Sequence, residues 1–403
     1  MKLSNLHIVL IISALAVLLG CEREPVPGKD TRILWSVATD AGQTKTDGYP
    51  AGTDVYSTHN SFGSFALRYT GTSASDWGTA SYTMHINGEL ISYFGLGNTP
   101  IWSTMTENYW PTTANSRLHF ASFSPYKTLH NKAVYGNPTD GITISNYQVP
   151  KDKKDQHYLT VTEGLTSYRL YDDDLMISNE YDVNSPDAAD PNNDIGPVYG
   201  TFTGVPTLFT HILTRIKVRF YQDATISVDY YDSQTIRILS VKFKDVYTSG
   251  TFKATPVLTS NPDPTHDPYG TYYAPTIGAS SWTSLGGVSD AVLFDSLVGT
   301  DAISTSSGAP TVVVEDYFAL PQALVASGQK LEVKYRITST KDDYIFSEEA
   351  TDEAYLNSTP DWTPNTDITL TVKLSAIRTI PIEFTATAAN WTDGQSYHLT
   401  PED

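Results

Sequence analysis

Apolar side chains recur on every second residue in short runs along this chain, and no long run repeats at the helical period. Phe65-Ala66-Leu67-Arg68-Tyr69 and Ile216-Lys217-Val218-Arg219-Phe220 show the pattern, as do the runs 118–123, 142–145, 331–337, 368–374 and 382–386. A period of two places one row of side chains on one face of a strand. The segments 82–86 and 89–93 flank Asn87-Gly88, a pair that accepts positive φ, and so predict a hairpin. Short strands with one apolar row must pair at their edges and be covered by a second layer. The expected fold class is therefore all-β, built from β-sandwiches, with little helix.

Cys21 is the single cysteine, so disulfides cannot hold such a fold together. It closes an N-terminal segment in which Lys2 is followed by the apolar stretch 8–19 and the small Gly20. That stretch is too short to cross a bilayer and suits the core of a signal peptide. Residues 1–20 are read as a lipoprotein signal with Cys21 as the lipid acceptor, which places the mature chain outside the cytoplasm. The about 380 residues from Cys21 onward can bury enough apolar surface for two domains of ordinary size. A net charge of −19 argues against nucleic acid as a partner and against docking on anionic headgroups. Acyl chains would carry the membrane attachment.

The polar stretch 184–204 holds Pro186, Pro191, Gly196 and Pro197 among several Asp and Asn, and it cannot continue a strand ladder. It sets the expected division into an N-terminal β-sandwich domain, 21–204, and a C-terminal one, 205–403. The segments 260–269 and 297–310 are expected to be long loops decorating the second domain.

Sequence signals of catalysis are absent. There is no Gly-rich phosphate loop, no paired-cysteine zinc spacing and no Gly-x-Ser-x-Gly elbow, so neither enzyme chemistry, a cofactor nor a metal is expected. Asp172-Asp173-Asp174 and the group Asp190, Asn192 and Asp194 lack the glycine and closing glutamate of a calcium loop, and Asp263, His266 and Asp267 in a Pro-rich loop make a still weaker metal candidate. They read as solvated turns. Single strand histidines such as His85 and His119 read as solvent-facing or as core hydrogen-bonding groups. Aromatics at 77, 102, 109, 110, 272 and 273 fill cores more often than they bind sugars. Trp102 and Tyr273 are kept as candidate glycan contacts for an alternative reading, a non-polymerising surface lipoprotein that binds glycan through its loops.

Several segments together resemble the fimbrillin-like proteins. Tyr109-Trp110-Pro111 with Leu118-His119-Phe120-Ala121-Ser122-Phe123-Ser124-Pro125 is similar to that family's Tyr-Trp-Pro block and the strand after it. Asp174-Leu175-Met176-Ile177-Ser178, Phe209-Thr210-His211-Ile212-Leu213-Thr214-Arg215-Ile216 and Phe318-Ala319-Leu320-Pro321-Gln322 match in order, as do turns around Trp362 and Trp391. The resemblance spans nearly all of the mature chain. It implies two tandem transthyretin-like β-sandwich domains and a role as a structural or adhesive pilin. Such a subunit is exported to the outer membrane as a lipoprotein precursor and assembled into the fimbrium by protease-triggered strand exchange. The implied partners are other pilin subunits, a processing protease, the membrane through lipid, and a host or bacterial surface receptor.

Ile33, Trp35 and Val37 form an alternating row that reads as the leaving strand. Family cleavage falls after an Arg followed by Ala; the matching position here is Lys45-Thr46, which departs from that pattern, and Arg32 is an alternative site at which cutting would leave the Ile33 strand in place. Ile382, Phe384 and Ala386 form the candidate donor strand, with completion of the second sandwich as the open alternative.

Overall fold

In the computed structural model the described residues are 32–39, 61–71, 80–96, 99–111, 113, 115–156, 158–163, 166–184, 198–199, 202–223, 231–259, 271–324, 328–377 and 380–390. Cys21, Lys45 and Thr46 lie outside them, as do the acidic groups at 190–194 and 263–267.

The strands run, in chain order, β1 (Trp35–Thr39), β2 (Ser61–Thr70), β3 (Thr83–Leu96), β4 (Thr99–Thr104), β5 (Ser116–Ser124), β6 (Ala133–Val134) and β7 (Thr143–Gln148). There follow β8 (Tyr158–Glu163), β9 (Thr166–Tyr171), β10 (Met176–Ser178), β11 (Glu180–Asn184), β12 (Val198–Tyr199), β13 (Phe202–Thr203) and β14 (Val205–His211). Next come β15 (Thr214–Gln222), β16 (Ser233–Tyr247), β17 (Ser249–Lys253), β18 (Pro256–Thr259), β19 (Thr271–Pro275), β20 (Trp282–Thr283) and β21 (Val288–Asp295). The last are β22 (Thr311–Ala319), β23 (Lys330–Lys341), β24 (Tyr344–Tyr355), β25 (Thr366–Leu374) and β26 (Glu383–Asn390). Among the described residues helix is confined to single turns such as Tyr126–Leu129.

The first sheet has the order β10-β14-β1-β4-β3-β2-β5-β11-β19-β18, and β5 also pairs with β10. That extra pairing closes β10, β14, β1, β4, β3, β2 and β5 into a ring. Its interior is an apolar core containing Ile33, Trp35, Phe62, Ile91, Trp110, Phe120 and Phe209. The opposite faces of β2 and β5 pack Phe65, Leu67, Ala121 and Phe123 against a smaller sheet, β20-β17-β7-β6, over a second core with Tyr147 and Trp282. Every residue of β5 is buried because both of its faces are covered.

Two further sheets, β22-β15-β25-β26 and β21-β16-β23-β24, face each other as a β-sandwich. Their inward rows, among them Ile216, Val218 and Phe220 against Val241, Phe243, Val333 and Tyr335, make the largest core. The alternation in 216–220, 331–337 and 368–374 thus emerges as one buried row per strand. The strands are not shared out at residue 204. β14 stays in the first sheet, the chain enters the sandwich at Thr214, and β17 to β20 return to the first two sheets.

Two local expectations change. Asn87-Gly88 does not turn the chain: β3 runs straight through it. Ile86 faces Ala66 and Glu89 faces Ser64, so three steps on β3 oppose two on β2, and Gly88 spends its φ of +62° on a bulge. The segment 297–310 is the expected long loop, between β21 and β22, but it is anchored to the sandwich. Ile303 is buried, its N–H bonds to the Ile236 carbonyl at 2.9 Å, and Ser304 accepts from the Gln222 N–H at 2.7 Å.

Candidate functional site

β1 lies between two strands that are remote from it in sequence. It pairs in parallel with β14, from Trp35 opposite Val205 to Thr39 opposite Phe209. On its other edge Trp35 stands opposite Trp102 of β4 in an antiparallel pair. The entry is held by the Ile33 N–H donating to the Asn108 carbonyl and the Val205 N–H donating to the Leu34 carbonyl, both at 2.7 Å. Taking β1 away would leave a gap roughly two strand spacings wide, about 10 Å, edged by unpaired backbone groups.

The alternating row predicted at the N-terminus is what fills this gap. Ile33 and Trp35 are 1% and 2% exposed, and Val37 packs at the margin of the same core. The indole of Trp35 meets Phe120 edge-on at 6.3 Å. Its Nε1–H donates to Ser64 Oγ at 3.2 Å, and Ser64 Oγ accepts a second bond from Ser122 Oγ at 3.0 Å. Ser64 and Ser122 face each other across β2 and β5. They are the small, polar members of the inward rows Phe62-x-Ser64-x-Ala66 and Leu118-x-Phe120-x-Ser122, and they leave room for the bulkiest side chain of the arriving strand. Nothing in the expected leaving strand pointed to Ser64, Ser122 or Gly204. A serine interrupting an otherwise apolar alternating row was the available signal.

Gly204 brings β14 onto β1. Its φ is +140°, and a Cβ there would stand 2.9 Å from the Leu34 oxygen and from the Trp35 carbonyl carbon. No larger residue allows that approach.

The remaining expected site residues fall elsewhere. Trp102 is half-buried and tilts against Phe62 at 5.6 Å, so its ring belongs to the rim of the slot. Tyr273 lies on β19, with β3, β2, β5 and β11 between it and β4. The two aromatics are not brought together. Ile382 is buried in the sandwich core, and Phe384 and Ala386 pack at its edge. Those two belong to β26, an edge strand paired with β25 alone and exposed along most of its length. Among the described residues no group of three or more His, Cys, Asp or Glu could hold a metal ion.

Beside the slot, the outer faces of β5 and β11 carry a buried polar cluster that sequence reasoning did not assemble. Arg117 Nε donates to Asp182 Oδ1 at 2.7 Å, and the Tyr69 hydroxyl donates to the same carboxylate. His119 Nε2 lies 2.8 Å from Glu180 Oε2, which also accepts from the Tyr135 hydroxyl at 2.7 Å. Burial alone would lower the His119 pKa, but hydrogen bonds and charge from Asp182 and Glu180 outweigh it and hold it up to about 9. Burial pushes Glu180 up, with His119 and Tyr135 opposing. His119 is thus the core hydrogen-bonding histidine of the two alternatives. Asp174 is buried as well, 2.7 Å from His211 Nδ1, and Asp173 is 6% exposed, so two of the three acids at 172–174 are not a solvated turn.

Two of the residues that carry the family resemblance, Trp110 and Gln322, sit at such internal junctions. Trp110 meets Phe120 at 5.7 Å. Gln322 accepts from the Tyr247 N–H at 2.9 Å, and its Nε2 donates to the Leu320 carbonyl at 3.0 Å, while its backbone exchanges bonds with Trp362.

No family model matches the chain, and no curated protein does. Solved structures do. A protein of Bacteroides uniformis, provisionally described as a cell adhesion protein, is similar at 15% identity over 92% of this chain and 100% of its own, with a TM-score of 0.43. One of Parabacteroides distasonis with the same provisional description is similar at 10% identity over 91% and 98%, with a TM-score of 0.44. The fimbrial anchor protein Mfa2 of Porphyromonas gingivalis is similar at 11% identity over 89% and 97%, with a TM-score of 0.27. These neighbours are adhesion and fimbrial proteins.

Proposed function

We propose that this chain is a structural or adhesive subunit of a cell-surface fibre, assembled by exchange of its first strand for a strand of a neighbouring subunit. One observation carries the reading: β1 closes the ring between β14 and β4 with Ile33 and Trp35 buried and Val37 at the margin of the core, yet both neighbours are distant in sequence. Such a strand can leave without threading, and the gap it leaves offers both an apolar floor and two lines of backbone donors and acceptors. A replacement strand would satisfy both. The order of the fimbrillin-like motifs along the chain supports the same assignment.

In this reading Cys21 carries the lipid that holds the precursor at the outer membrane, and proteolysis at Lys45-Thr46 releases β1. The edge strand β26, with Ile382, Phe384 and Ala386, is the segment offered to a neighbour. The N- and C-terminal parts divide the labour, the first accepting a strand and the second donating one.

The test is a trypsin time course on the purified chain lacking its lipid. New ends are read by mass spectrometry, and assembly by electron microscopy and by boiled against unboiled gels. Cutting near Lys45 followed by loss of β1, with heat-resistant ladders or fibres once a donor strand or donor subunit is supplied, is the expected result. Clean cutting that leaves a lasting monomer, with β1 still bound, refutes it.

A further inference from the structure

The slot is not a uniform greasy groove. At the position of Trp35 its floor carries Ser64 Oγ, buried and aimed at the indole N–H, with Ser122 Oγ behind it. The walls are Val205 and Trp102 on the flanking strands and the edge of Phe120 across the core. Two residues to the N-terminal side Ile33 is buried, and two residues to the C-terminal side Val37 closes the row. A strand with a small residue at the Trp35 position would leave a cavity the size of an indole. One with a phenyl ring there would fill most of the volume but leave the serine without that donor.

We infer that this slot selects its replacement strand by a single residue, an aromatic side chain bearing an N–H donor, flanked two positions away on each side by aliphatic residues and running parallel to β14. The inference rests on the strand-exchange reading and names the partner. The inward row of β26 and the residue before it is Ile382, Phe384 and Ala386, whose only ring has no donor. A second copy's β26 is therefore the wrong key, and the partner is a strand from a different subunit with an aliphatic-x-Trp-x-aliphatic pattern. The slot thereby enforces an order of subunits, since the discriminating Ser64 hydroxyl is desolvated and an aromatic ring without a donor leaves it one bond short, with Ser122 as its remaining partner.

The test uses the whole mature chain with Cys21 replaced by Ser and a site-specific protease sequence placed within 41–48. After cutting, the seated strand is challenged with labelled synthetic peptides. These are residues 32–45 as they stand, the same peptide with Trp35→Phe or Trp35→Ala, and residues 382–390. Exchange is followed by native mass spectrometry. The Phe peptide should need about fivefold more to reach half-exchange, the worth of one neutral hydrogen bond. The Ala peptide should need on the order of a hundredfold more, from the lost ring. In a Ser64→Ala protein the ratio between the Trp and Phe peptides should fall to about one, which a general preference for bulk would not produce.

Equal exchange of the Trp and Phe peptides, or a ratio untouched by Ser64→Ala, overturns the selectivity while leaving strand exchange standing. Exchange of 382–390 as readily as of 32–45 makes a second copy the partner and overturns the assignment to a different subunit. If not even the unaltered 32–45 peptide exchanges, the strand-exchange reading fails and this inference falls with it.

Discussion

Gly204→Ala should loosen β1 without touching any residue of β1. The change adds one methyl group at a backbone with φ of +140°, a conformation that costs a residue bearing a Cβ about 1–3 kcal/mol. That methyl would also stand 2.9 Å from the Leu34 oxygen, 2.9 Å from the Trp35 carbonyl carbon and 3.0 Å from the Leu34 carbonyl carbon. These are backbone atoms of the arriving segment, which cannot rotate aside as a side chain would. Relief requires β1 and β14 to separate by some tenths of an ångström, weakening the bond from the Val205 N–H to the Leu34 carbonyl. Overpacking of this kind adds about 1–3 kcal/mol. Taking about 3 kcal/mol of the combined cost as acting on the seated strand, its opening should rise on the order of a hundredfold.

Native-state hydrogen exchange read by mass spectrometry on the segment 33–39 measures this directly. Gly136→Ala is the matched control, because a Cβ there meets nothing within 4 Å. Exchange of 33–39 should accelerate in the first variant and not in the second, while β23 and β25 in the sandwich keep their protection. Protection of 33–39 within twofold of the unaltered protein would show that β14 does not hold β1 in the way described.

Trp35→Asp should lower stability by about 3–5 kcal/mol, from a lost buried ring and an unpaired buried charge, read as a fall in melting temperature. Trp102→Ala should speed exchange of 33–39 and leave glycan-array binding unchanged, because its ring packs on Phe62 at the rim of the slot; loss of glycan binding would favour the lectin-like alternative instead. His119 is held at about 9 in the folded state against an ordinary 6.5, so its stabilisation is complete below pH 6.5 and is lost as pH rises through 9. Glu180, also raised, acts in the same direction at lower pH. The melting temperature should therefore fall between pH 7 and 10, and His119→Gln should flatten that fall. Cys21→Ser should abolish labelling of the chain by a fatty-acid probe; continued labelling would move the acceptor elsewhere.

What the alternation made legible was each strand's own inward row. Ile216, Val218 and Phe220, or Leu331, Val333 and Tyr335, are buried on one face because period two is a local property of the chain. Which face meets which neighbour is not local. β1 lies beside β14 and β15 lies parallel to β25 through pairings that join residues more than a hundred positions apart. No pattern within either strand encodes such a partner. The same limit explains Asn87-Gly88: the pair signals positive φ, and whether that becomes a turn or a bulge depends on where β2 pairs.

The acids at 172–174 depart from the expected solvated turn for a related reason. Asp174, Glu180 and Asp182 sit in short polar stretches that taken alone imply solvent, yet β5 brings Arg117 and His119 to the last two, and β14 brings His211 to the first. A buried carboxylate is tolerable only with its partner in place, and here the partner arrives from another strand. The slot obeys the same logic. Ser64 looks like a solvent-facing residue in the run 61–70 until the indole of Trp35 arrives from β1 to occupy its acceptor. A residue whose role exists only when a separate strand is present cannot be read from its own neighbourhood. That dependence is also what equips it to distinguish one arriving strand from another.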